Sequence, residues 1–266
     1  MPESTLPALV VGLAAFGVSL LTLFSGFGLG TLLMPVFALF FPVEIAVGAT
    51  ALVHAANSVF KAGLLARGAP RQVLMRFGLP AVAASFLGAF TLSRLAVQAP
   101  VASWTLAGRA AEITPIKLVM GCLILVFALL ELVPILRSKQ APLRWLPLGG
   151  ALSGFFGGLS GHQGALRAVF LTPLKLSPTE FASSQAVIAL MVDIARLSVY
   201  GGAFLMLGAS GGSALPWRLI VTAALCAFAG AFVGKKLLHK MTMDALHLLV
   251  GWLLAIVGAG LASGLI

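Results

Sequence analysis

Residues 118–130, 219–233 and 248–266 carry almost nothing ionisable. A helix that crosses a bilayer needs about 20 predominantly apolar residues, and several stretches of this chain qualify. The runs are continuous and do not alternate with period two, which argues against a membrane barrel. The expected class is an all-α polytopic membrane protein with the lipid bilayer as its solvent. Composition agrees: 9% of residues are charged, against about 25% in a soluble domain. The net charge of +10 is expected to lie in cytoplasmic loops, so no nucleic-acid partner is expected. Cys122 and Cys226 fall within apolar spans and are read as small buried fillers with no disulfide framework. The opening MPESTLPALVV lacks the basic start of a signal peptide, so the first apolar segment is expected to stay in the protein. Nothing points to a cofactor or a metal.

The chain repeats itself. At an offset of 136 residues Pro42, Glu44 and Ala46 fall on Pro178, Glu180 and Ala182, Leu79-Pro80 on Leu215-Pro216, and Asn57 on Asp193. One residue of slip brings Ser25-Gly26 onto Ser160-Gly161. Two repeats are therefore expected, 1–140 and 141–266. Each is a broken hairpin (6–41 and 145–174) followed by three spans: about 42–65, 79–97 and 115–136, then 179–205, 216–234 and 245–266. The basic residues favour hairpins that enter and leave on one side. With the N-terminus outside, eleven of the seventeen basic residues then lie inside and four outside, with Arg167 and Arg196 at membrane depth. A single crossing at each break would split the basic loops 61–76 and 137–144 between the two sides. A hairpin plus three spans makes three net crossings, so the repeats are expected to be inverted, an arrangement of secondary transporters. The arm 6–24 is long enough for nearly a full crossing, so part of it is expected to tilt or lie at the interface.

The breaks carry the chemistry. SGFGLG at 25–30 and SGHQG at 160–164 interrupt apolar segments with glycines 26, 28, 30, 161 and 164. Non-helical backbone at membrane depth is tolerated where protein encloses it or where it lines a cavity. A short helix restarts after each break, and its first N–H groups are unpaired at the positive end of the helix dipole. Two such ends arriving from opposite sides would hold an anion. Close glycine-mediated packing is the structural alternative. Ser25, Gly26, Gly28, Gly30, Thr31, Asn57, Ser160, Gly161, His162, Gln163, Gly164, Arg167 and Arg196 are the candidate substrate-binding residues. Arg167 suits a sulfonate or carboxylate, or else pairs with Asp193. His54, Asn57, Ser58 and Lys61 share one helical face, as Gln185, Asp193, Arg196 and Tyr200 roughly do. Asp193 and Arg196 are spaced to neutralise each other, and His162 and Asp193 are the candidates for proton coupling. SPTE at 177–180 reads as an N-cap serine, a first-turn proline and a capping-box glutamate. FPVE at 41–44 copies it without the serine. Glu131 is a weaker candidate for a coupling carboxylate.

GFGLGTLLMP (26–35) followed by IAVGATALVHA (45–55) resembles the first-half motif of the sulfite exporter TauE/SafE family, also called toluene sulfonate uptake permeases. Gly26, Gly28, Gly30, Pro35 and Ala46 to Thr50 carry the likeness, which extends over nearly the whole chain. VDIARLSVYGG (192–202) resembles a variant branch. The second tip departs from the family pattern, with His162 and Gln163 standing inside its usual glycine triplet. The resemblance implies a multi-pass transporter of the bacterial inner membrane for sulfite, sulfonates or similar small anions, driven by an ion gradient. Both termini are expected on the periplasmic side, and homo-oligomerisation is left open. An anion channel is the alternative. A second alternative, an intramembrane serine protease, rests on GASGG at 208–212; here that string falls outside any expected span, so no enzyme is expected.

Overall fold

The computed structural model describes residues 5–25, 29–65, 68–106, 109–133, 142–209, 215–237 and 243–266. Within them the chain is helical apart from one antiparallel hairpin. In chain order the helices are α1 (Thr5–Ser25), α2 (Leu29–Ala38), α3 (Val43–Leu65), α4 (Arg71–Ala96), α5 (Pro115–Leu132), α6 (Leu146–Ser160), α7 (Gly164–Leu171), α8 (Pro178–Ala209), α9 (Trp217–Leu237) and α10 (Met243–Ala262). Five segments are long and apolar enough to cross a bilayer: Val43–Gly63, Arg71–Ala96, Pro115–Leu132, Pro178–Gly201 and Trp217–Gly234. Thr5–Leu20, Gly164–Leu174 and Val250–Ala262 are shorter apolar helices. Large apolar side chains such as Leu13, Leu87, Leu225 and Ile256 face outward along these helices, as lipid contact requires. The chain is a polytopic helical membrane protein.

Three local features depart from the sequence reading. The helix expected to begin at 79 begins at Arg71, through a π-helical turn at Leu74–Gly78. Pro80 lacks the N–H that would bond back to residue 76, and the wider turn just before it lets the helix continue. Residues expected as a plain loop contain strands β1 (Ala102–Leu106) and β2 (Arg109–Ile113). The Trp104 indole N–H donates to the Ser263 carbonyl at 2.8 Å, tying this hairpin to the end of α10. Cys122 is exposed and Cys226 half-buried, both as free thiols, so they do not fill the interior as expected. A thiol is apolar enough to face lipid. The capping box at the start of α8 is formed: the Ser177 N–H donates to the Glu180 carboxylate at 2.9 Å and the Glu180 N–H to Ser177 Oγ at 3.3 Å.

Helix directions follow from close contacts. Gly150, Gly154 and Gly158 of α6 lie against the carbonyls of Phe77, Ala81 and Ser85 of α4, so these helices run parallel. Gly230 and Gly234 of α9 meet Phe16 and Leu20 of α1 in the same sense. α5 and α10 run antiparallel, with Gly121 against Gly258 and Ala262, and Gly251 against Leu132. α3 and α8 also run antiparallel: His54 meets Asp193, while Gly68, just beyond α3, meets Ser183 and Thr179 near the start of α8. Through the chain connections, α6–α7 is a hairpin that enters and leaves at the end of the molecule where α4 and α8 begin. α1–α2 enters and leaves at the opposite end, where α10 finishes. α1 spans about 30 Å at 1.5 Å per residue and follows α9 at least to Gly234.

Backbone contact at the α4–α6 crossing leaves no room for a Cβ. Gly154→Ala is expected to destabilise the protein by about 1–3 kcal/mol, the usual cost of overpacking, because the Ala81 backbone cannot rotate away. Gly201 has no neighbour within 4 Å of an added Cβ, so Gly201→Ala should be neutral or raise the midpoint. Thermal unfolding of both variants in detergent, followed by tryptophan fluorescence, checks the contrast.

Candidate functional site

The two breaks meet. A Cβ on Gly30, the second residue of α2, would lie 3.1 Å from the Gly161 carbonyl oxygen and 3.6 Å from His54 Cδ2. At the second break α6 ends in Gly161 at φ +82°, a left-handed conformation open to glycine. The Gln163 N–H donates to the Gly161 carbonyl at 3.1 Å. The Gln163 carbonyl accepts from the Arg167 N–H at 3.1 Å and from Ser153 Oγ at 3.0 Å. The departing backbone is thus bonded internally, and α7 restarts with its first-turn N–H groups aimed into the break.

Three polar groups lie near this point, all buried except for the half-buried Gln185. The first joins α3 to α8. Asp193 Oδ2 accepts from His54 Nδ1 at 2.6 Å and from Ser58 Oγ at 3.1 Å, while Oδ1 accepts from Arg196 Nε at 3.0 Å. Arg196 Nη2 lies 2.7 Å from Oδ1, close enough for ion pairing but out of line for a hydrogen bond. Arg196 Nη1 reaches the Gly157 carbonyl at 3.3 Å, and the Tyr200 hydroxyl donates to the Gly158 carbonyl. α8 thereby holds the last turn of α6.

The second group centres on Arg167, which is 3% exposed. Its Nε donates to Gln185 Oε1 and its Nη1 to Gln163 Oε1 at 3.3 Å. Among the described residues it has no acidic partner. Arginine carries only donors, so it draws both glutamine oxygens toward itself and turns their amide nitrogens away. Gln163 Nε2 and Gln185 Nε2 are buried with no hydrogen-bond partner. The third group is the tip histidine. His162 Nδ1 lies 3.1 Å from Ser160 Oγ and 3.2 Å from the Ser160 carbonyl. Its ring stacks on Phe127 of α5 with centroids 5.2 Å apart, and its Nε2 is buried without a partner. Thr50 Oγ1 and Ser184 Oγ are in the same condition. Each unsatisfied buried group costs about 1–3 kcal/mol, so each of these atoms is open to a hydrogen-bond partner brought in from outside.

Of the residues singled out from sequence, the structure brings together Gly30, Ser160, Gly161, His162, Gln163, Gly164, Arg167 and Arg196. Asn57 turns instead toward α1, where Ser19 donates to its Oδ1 at 3.4 Å. Gly26 and Gly28 lie outside the described residues, as do the side chains of Ser25 and Thr31. Arg167 and Asp193 do not pair, because Asp193 is taken by Arg196 and His54. Glu131 is buried in α5 beside Gly251. The site list from sequence missed His54, Ser58 and Gln185. The signal for them was their helical spacing from Asn57 and Asp193. Phe127 gave no signal, since an aromatic in an apolar span looks like any other.

Ser58, His54 and Asp193 have the composition of a hydrolytic triad but not its wiring. Both Ser58 Oγ, at 3.4 Å, and Asp193 sit on His54 Nδ1, whereas a nucleophile must be deprotonated by the nitrogen opposite the carboxylate. The GASGG string ends α8 at Ala209, and residues 210–214 lie outside the described set.

The family model for sulfite exporter TauE/SafE matches residues 11–261. No curated protein matches the chain. A match that takes in both hairpins and nearly every helix is decisive: the chain belongs to the sulfite exporter TauE/SafE family and is a membrane transporter.

Proposed function

We propose that this transporter moves a small sulfur-containing or organic anion (sulfite, a sulfonate or similar) across the bacterial inner membrane by alternating access, coupled to an ion gradient. Arg167 carries the reading. An intramembrane arginine costs at least about 2.5 kcal/mol, and this one is compensated by two neutral amides whose N–H groups are left facing away, unpartnered. An oxyanion would satisfy the guanidinium and offer an acceptor to the unpartnered amide N–H groups. The N-termini of α2 and α7, arriving from opposite ends of the molecule, add the favourable ends of two dipoles. Ser25, Gly26, Gly28 and Thr31 of the first break complete the α2 side of this proposal, and Ser160 and Gly161 shape the α7 side.

The proposal of inverted repeats is supported by helix direction. The two pairs related by sequence offset, α3 with α8 and α5 with α10, each run antiparallel and pack on one another. α1 packs along α9 as α6 packs along α4. Two packed halves related in this way can rock about a site held between them. The excess of basic residues on one side supports a periplasmic position for both termini.

Sulfite counterflow in proteoliposomes tests the transport reading. External sulfite should accelerate the exit of labelled internal sulfite, a response that an anion channel would not give. Charge-assisted hydrogen bonds are worth about 1.5–3 kcal/mol, so Arg167→Gln is expected to raise the sulfite Kd about 10- to 100-fold. Wild-type affinity in a folded Arg167→Gln protein would remove Arg167 from the site. Sidedness has its own check. With Cys122 and Cys226 replaced, Ser103→Cys should react with an impermeant maleimide in intact cells, whereas Arg144→Cys should react only after permeabilisation.

A further inference from the structure

We propose that His54 is the proton-binding residue of the transport cycle, held in register by Asp193, and that its charged form balances the second negative charge of a divalent sulfur oxyanion. The inference rests on the transport reading above.

Geometry selects His54 over the other ionisable groups of the core. Both Asp193 oxygens already accept, from Arg196 on one side and from His54 and Ser58 on the other. A proton on that carboxylate would have to displace one of these donors. His162 has its Nδ1 against Ser160 oxygens and its ring face on Phe127, and among the described residues no carboxylate contact to its ring is found. His54 has what His162 lacks. A carboxylate is acceptor-only, so its 2.6 Å contact fixes the ring proton on Nδ1. Nε2 is then the basic nitrogen, and the next proton goes there. The adjoining carbon, Cδ2, lies 3.6 Å from the Cβ position of Gly30, so the Nε2 side of the ring faces the junction of the two breaks.

The surrounding charges set the count. Asp193 and Arg196 from α8 and Arg167 from α7 are the charged groups acting on the ring. On its own helix, Glu44 lies in the first turn and Lys61 two turns beyond His54. α1 and α2 contain no ionisable side chain, and α9 carries Cys226 at its middle, Arg218 near its start and Lys235 and Lys236 in its last turns. α4 contributes Arg71, Arg76 and Arg94, and α5 Lys117, Cys122 and Glu131. Asp193 and Arg196 cancel, and Lys61, half-buried two turns along α3, acts on Arg167 but is not among the charges acting on the His54 ring, which leaves Arg167 as the uncancelled positive charge beside that ring. A monovalent anion closes that balance. A divalent anion leaves one negative charge over, and a proton from water on the open side, taken up on His54 Nε2, offsets it. The proton is released to water with the anion at the other face, so each divalent anion travels with one proton.

Sulfite counterflow and pH-gradient-driven sulfite accumulation, measured side by side in proteoliposomes, test this. Wild type should accumulate sulfite in the direction of the proton gradient. In His54→Gln, counterflow should continue more slowly with a flattened pH profile, while gradient-driven accumulation falls at least about tenfold. Accumulation that survives in His54→Gln overturns the proposal. Should that variant lose both activities, 15N-histidine NMR of the wild type decides. The chain has 4 histidines, and the His54 signal is identified by elimination with His162→Gln, His239→Gln and His247→Gln. A His54 titration midpoint that rises on adding sulfite supports the assignment, and one that does not move refutes it. A wild type without sulfite counterflow would refute the transport reading itself. That result is distinct from a wild type that exchanges sulfite and ignores the pH gradient.

Discussion

No water reaches the core of a bilayer to complete a hydrogen bond, so backbone that leaves the helix there must be enclosed by protein. The break at Gly161–Gln163 obeys this rule in detail. Its carbonyls and amides bond to each other, to Ser153 and to Arg167 N–H, and the last turn of α6 is held by Arg196 and Tyr200 from α8. Enclosure at this distance requires the neighbouring helices to approach almost to backbone contact. That is the work of the α6 glycines at 150, 154 and 158 against α4. The same packing that buries the break also delivers it to Gly30 of the other hairpin.

Charge in this setting is settled pair by pair. Both buried arginines face the same desolvation cost, but they meet it differently. Arg196 has a carboxylate 2.7 Å away and serves as a strut between α8 and α6. Arg167 has two amides, which satisfy hydrogen bonds without cancelling charge. This difference gives Arg196 a structural role and leaves the charge of Arg167 uncancelled among the described residues. The same contact orients the glutamine side chains: with Oε1 held by Arg167, their amide nitrogens are left buried without a partner.

Much of this was legible in the chain. The spans follow from unbroken apolar runs, because lipid tolerates nothing else. The breaks follow from glycines where a helix should continue, and the capping box at Ser177–Glu180 from local hydrogen-bonding preference alone. The π-turn before Pro80 was less visible, since a proline marks a helix start and a widened turn equally well. The strands at 102–113 depend on contacts with the end of α10, which no local pattern encodes.

The sequence by itself determined that the chain lives in a membrane, where its helices break, and which polar residues are carried to depth, since each of these is a consequence of solvent and local backbone chemistry. Only the tertiary structure decided the partners. Asp193 could pair with Arg167 or with Arg196 by charge alone; it pairs with Arg196 on its own helix, and the crossing of α3 and α8 adds His54. His54 and Asp193 are 139 residues apart, and no spacing rule joins residues so distant. Their contact exists because two antiparallel helices happen to present those faces at the same depth.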